Sequence, residues 1–90
     1  MPSVELLGYA KAERELMEQT LRRDLADLEF SHQIMFVAYT SEVRDMQGNS
    51  QPYLRVCTRN EAKAKILTAR LRKYADVEFI QSADFVVWEK

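Results

Sequence analysis

Cysteine, histidine and tryptophan occur once each in this 90-residue chain, and glycine and proline only twice each. One thiol, Cys57, cannot form an internal disulfide, so no oxidised framework holds the fold and the redox compartment is left open. His32 and Cys57 together supply at most half of a zinc site, and the CxxC, HxxxH and HExxH spacings are all missing. No metal and no cofactor is therefore expected. Glycine is also too scarce for a phosphate cradle, since Gly48-Asn49-Ser50 fits neither GxxxxGK[ST] nor GxGxxG. No apolar run approaches the ~18 residues that a membrane-crossing helix needs, and no basic-then-apolar leader opens the chain. The expectation is a cytoplasmic protein with no membrane role.

What the chain does contain belongs to a folded protein. Hydrophobic residues make up 47% and charged residues 30%, a globular balance and not a disordered one, which predicts one domain over 1–90. The net charge of −1 is unevenly spread. Segment 53–73 has seven Lys/Arg against one acid, Glu61, a local +6 that leaves −7 elsewhere. Such segregation marks either a nucleic-acid footprint or an acidic helix lying near a basic one.

Leu7, Ala10, Met17, Leu21, Leu25 and Leu28 recur at helical spacing, which predicts a long N-terminal helix over about 9–31. Charged pairs such as Lys11 with Glu15 and Glu18 with Arg22 solvate its outer side, and Gly8 argues against an earlier start. Residues 34–44 read as a strand, 45–52 as a hairpin loop and Tyr53–Thr58 as the returning strand. Thr58 and Glu61 fit a capping box, with Asn60 as the rival cap, ahead of a helix whose inner stripe is Ala64, Leu67, Leu71 and Tyr74. Val77–Gln81 and 85–89 then form a second hairpin. The order α-β-β-α-β-β predicts an α+β fold with one four-stranded antiparallel sheet and both helices on one face, a permuted ferredoxin-like layout.

Each residue that could carry chemistry has a plainer role open to it. His32 stands where a helix ends and suits capping carbonyls there. Cys57 alternates with core positions in a strand, and no base is placed to activate it. Glu13, Glu15 and Glu18 are interleaved with Lys and Arg, the pattern of a solvated face and not of a desolvated acid–base pair. No enzyme is read from these residues.

Two surfaces remain as partner sites. Tyr9, Ala12 and Leu16 make a second apolar spot off the main helical stripe, which predicts burial against another copy of the chain. Tyr53, Arg55, Arg59, Lys63, Arg70 and Lys73 make a basic set with one stacking surface, suited to single-stranded nucleic acid. The leading expectation is a small non-catalytic protein-interaction module that self-associates as a homodimer through the first helix. A nucleic-acid-binding protein using 53–73 is the alternative. A third reading is a small ferredoxin-like ligand-binding protein or enzyme without a readable motif.

Overall fold

The structure, a computed structural model, describes residues 2–81, with side chains through Glu78. Its element order is β-α-β-β-α-β: β1 (Ser3–Leu7), α1 (Lys11–Asp24), β2 (Met35–Tyr39), β3 (Tyr53–Thr58), α2 (Glu61–Leu71) and β4 (Val77–Gln81), with a single 3-10 turn, Ser31–Gln33, ahead of β2. The expected strand at 85–89 and its hairpin lie outside the described residues.

The first departure from expectation is at the N-terminus. Ser3–Leu7 is a strand, because Val4 and Leu6 alternate with Ser3 and Glu5 at a period of two and are fully buried. Gly8 ends it with φ +82, and a Cβ there would meet Val43 Cβ at 3.0 Å and Pro52 Cα at 3.3 Å. The helix expected over 9–31 is accordingly shorter. It begins after Ala10, which offers no side-chain cap, and closes at Leu25. Tight turns follow, with Leu28 N–H donating to Leu25 O (3.1 Å) and Ser31 N–H to Leu28 O (3.0 Å).

The second departure is topological. The sheet order is β2-β1-β3-β4, with β1 parallel to β2, β3 parallel to β4, and β1 antiparallel to β3 at the centre. The sheet is mixed, not wholly antiparallel, and the permuted ferredoxin-like arrangement fits it only in part. β1 occupies the place between β2 and β3 that a hairpin would have closed. Segment 40–52 is therefore a long connection, pinched by one antiparallel bridge from Arg44 to Ser50. Asp45 holds its turn by accepting from the Gln47 and Asn49 amides, both at 2.9 Å. Parallel neighbours need a crossover of a dozen or more residues, and α1 and α2 supply the two crossovers.

Both helices lie on one face, as expected. Leu21 and Leu25 from the first, and Ala64, Leu67 and Leu71 from the second, share one core with Val4, Leu6, Leu54 and Val56 of the central strands. α2 starts where the capping signal placed it, and Asn60 is the working cap, its side chain accepting from Lys63 N–H at 3.0 Å. The sheet's other face carries Ser3, Glu5 and Leu7 beside Met35, Val37 and Tyr39 on one side and Cys57, Arg55 and Tyr53 on the other.

Candidate functional site

The corner where β1 and β2 begin and β3 ends draws together residues far apart in sequence. Pro2 is fully buried there, and its carbonyl accepts from Met35 N–H at 3.0 Å, which fixes the entry to β1 against the entry to β2. Ser3 Oγ donates to Cys57 O at 3.4 Å, tying the same end to β3. From the N-terminal turn of α2, Lys63 Nζ donates to Gln33 Oε1 at 2.7 Å and sits 5.2 Å from the centre of the Phe30 ring.

Lys63 is a half-buried ammonium whose partners at this corner, an amide oxygen and an aromatic face, are both neutral. It also stands in the first turn of α2, where the backbone N–H groups add positive potential. The acid of that turn, Glu61, is engaged with Lys65 at 3.6 Å. Removing a cation from water without a matching anion is unfavourable, and among the described residues Lys63 meets none at this corner. Such a corner can hold a carboxylate or another oxyanion.

The opposite end of α2 has the reverse character. Asp24, with 8% of its side chain exposed, receives Arg70 at 3.2 Å, Lys73 at 2.7 Å and the Tyr74 hydroxyl. Arg70 also donates to Asp24 O (2.8 Å) and to both oxygens of Asp27 (3.0 and 2.9 Å). The hydrogen bond from Lys73, then that from Tyr74, and then Arg70 hold the Asp24 carboxyl down at about 2. Arg70 in turn keeps Asp27 below the usual carboxylate range. This cluster joins the C-terminal ends of the two helices and leaves no surplus charge.

The residues expected to bind nucleic acid do not form one surface. Tyr53 and Arg55 alternate onto the sheet face away from the helices, whereas Lys63, Arg70 and Lys73 belong to the helical layer. Arg55 is paired with Glu5 at 2.6 Å; burial works to lower its pKa, and the Glu5 hydrogen bond and charge, joined by Tyr53 and Tyr39, together raise it. Arg59 is exposed just beyond β3.

The expected partner spot is also dispersed. Tyr9 precedes α1 and packs on the chain's own core, while Ala12 is exposed and Leu16 is 63% exposed. Burial, followed by Glu13 and Asp76, raises the Tyr9 pKa. His32 is exposed in the 3-10 turn and Cys57 is half-buried. Among the described residues no group of three or more His, Cys, Asp or Glu could hold a metal, and no helix is long and apolar enough to cross a membrane.

No family model and no curated protein matches this chain by sequence. Solved structures do match it. A domain of unknown function (DUF1904) from Sebaldella termitidis is 18% identical with a TM-score of 0.53, over 91% of this chain and 87% of the other. A macrophage migration inhibitory factor-like protein from Entamoeba histolytica is 9% identical with a TM-score of 0.54, over 89% and 83%. Identities this low establish a shared fold alone, a small α+β fold with a four-stranded mixed sheet and two helices. The expectation of a non-catalytic interaction module is corrected by that likeness. The sequence missed the Pro2–Gln33–Lys63 corner, since Gln33 and Lys63 are thirty positions apart and no spacing rule links them.

Proposed function

We propose that this chain is a small-molecule-binding protein whose site is the Pro2–Gln33–Lys63 corner and whose ligand carries a carboxylate. The observation that supports this most is Lys63 itself, a half-buried cation held by neutral partners beside a helix N-terminus. The fold shared with a macrophage migration inhibitory factor-like protein is in keeping with it. The test is amide chemical-shift mapping with benzoate and with pyruvate. Saturable shifts at Ser3, Gln33 and Lys63 are expected, with weak affinity on the order of 1 mM for such minimal probes, and their loss in Lys63→Met. Unmoved amides at this corner with both probes would remove the reading.

A catalytic reading has one observation in its favour, the fixed position of Pro2 at the same corner. In a chain trimmed to Pro2 the ring nitrogen would be a secondary amine. An α-amino group titrates near ~8, which suits a general base at neutral pH. The corresponding assay follows deuterium entering the methyl group of pyruvate from heavy water. Exchange that trimmed protein accelerates and Pro2→Ala does not would support the reading; exchange equal to buffer alone would end it.

A further inference from the structure

β2 is an edge strand: among the described residues its one neighbour is β1. Met35 N–H points inward to Pro2 O at 3.0 Å. Backbone groups alternate sides along a strand, so Val37 and Tyr39 also face β1. The amide and carbonyl groups of Phe36 and Ala38 then point out of the sheet, and no backbone bond to another described element uses them.

Exposed edges are ordinarily guarded by a charge, a proline or a bulge. Met35–Tyr39, with the sequence MFVAY, has none of these. It is apolar throughout, with Met35 53% and Tyr39 40% exposed.

The strand is also complementary to itself. Set antiparallel to a second copy with the two-fold axis at Val37, it places Phe36 opposite Ala38 and Met35 opposite Tyr39. The Phe36–Ala38 pairs are those whose free amides and carbonyls face outward, so they fall in the hydrogen-bonded positions, and Val37 meets Val37 in the closer, non-bonded position. A large ring thus faces a methyl group on the helix side. On the other side a thioether faces an aromatic ring, a favourable contact. A centre at Phe36 would also leave the outward groups in bonding positions, but it would set ring against ring. Side-chain size therefore favours Val37 as the centre.

We propose that two copies of this chain join by antiparallel pairing of their β2 edges about Val37, merging two four-stranded sheets into one. One self-complementary edge suffices for a two-fold dimer, and the pairing closes at two copies. The joint goes beyond the small-molecule site and does not depend on it.

Ala38→Pro tests it directly. Proline removes an outward N–H and leaves every bond to β1 in place, so the monomer's sheet should be unaffected. Wild type is expected to sediment at twice the 10.5 kDa chain mass at high micromolar concentration, and Ala38→Pro at half the wild-type value with an unchanged far-ultraviolet spectrum. Val37→Lys, which sets two ammonium groups across the axis, should do the same. In wild type, the Phe36 and Ala38 amides should exchange more slowly as concentration rises, a reading that still decides if either variant folds poorly. A monomeric wild type, a trimer, a dimer that survives Ala38→Pro, or exchange independent of concentration would each overturn the proposal.

Discussion

Lys63 and Arg70 stand two turns apart on α2, and the structure treats them differently. Arg70 reaches two carboxylates, Asp24 and Asp27, and closes a clasp between the ends of the helices. Lys63, nearer the helix N-terminus, meets an amide oxygen and a ring. The two positions look alike in the sequence, where both are basic residues beside the same buried stripe. What separates them is the surroundings: α1 ends in acids beside Arg70, whereas the 3-10 turn beside Lys63 brings an amide. A charge that finds its counter-charge among the described residues serves the fold, and Lys63, which meets neutral groups there, is the one we propose meets a ligand.

The variant with the largest expected effect removes the ground the two positions share. Leu67 lies between them on α2 and is fully buried. Leu67→Ala should cost ~2–5 kcal/mol of unfolding free energy, read by urea denaturation, and should weaken both ends of the helix together. Loss confined to one end would mean that they do not rest on a common core.

Next is the clasp alone. Asp24→Ala leaves Arg70 and Lys73 without their buried acceptor, although both can reach water, with side chains 33% and 58% exposed. A loss of ~1–3 kcal/mol is expected, with carboxylate binding at Lys63 unchanged. Binding lost along with stability would erase the distinction between the ends.

Acid should weaken the clasp. The folded-state pKa of Asp24 lies below the ordinary carboxylate value, at about 2. Its contribution is therefore full above the unfolded value and is lost as pH falls through the folded one. About 2 kcal/mol of stability should go between roughly pH 5 and 2, and Asp24→Asn should flatten that limb of the profile. An unaltered acid limb in the variant would place the acid sensitivity elsewhere.

The smallest effect on stability is expected from Lys63→Met, within ~0.5 kcal/mol of wild type, because Gln33 can turn to water and the methylene stem is replaced. Binding of benzoate should nevertheless disappear. A destabilisation as large as that of Asp24→Ala would assign Lys63 to the fold and end the comparison.

How much of this was legible in the sequence depended on the range of the interactions concerned. Tyr53–Thr58, the start of α2 near Thr58–Glu61 and its stripe Ala64, Leu67 and Leu71 are local patterns and were read correctly, although the cap is the rival Asn60 and not Thr58. β1 was missed because Leu7 fell on the helical stripe by coincidence, while the competing alternation of Val4 and Leu6 spans only five residues. Gly8 was the available signal, as a left-handed glycine separates strand from helix. Strand order was beyond local patterns altogether, since β1 inserts between two strands that read as consecutive. The candidate corner depended on that same insertion, and a lone lysine in a basic segment gives no sign of which acids it will fail to meet.

The central pairing has a consequence for how the chain folds. β1 meets β2 across a separation of about thirty residues, and β3 meets β4 across fewer, but Ser3 finds Cys57 fifty-four positions away. Closing the longer loop carries the greater entropic cost, and contacts of high sequence separation form slowly. The molecule is thus two short strand–helix–strand arches that can each begin alone, with a seam between β1 and β3 that forms last. A cut in the 40–52 connection would sever one bridge, Arg44 to Ser50, and no other described strand pair, leaving two fragments whose reassembly reports on the seam together with the shared helix core and the Asp24–Arg70 clasp.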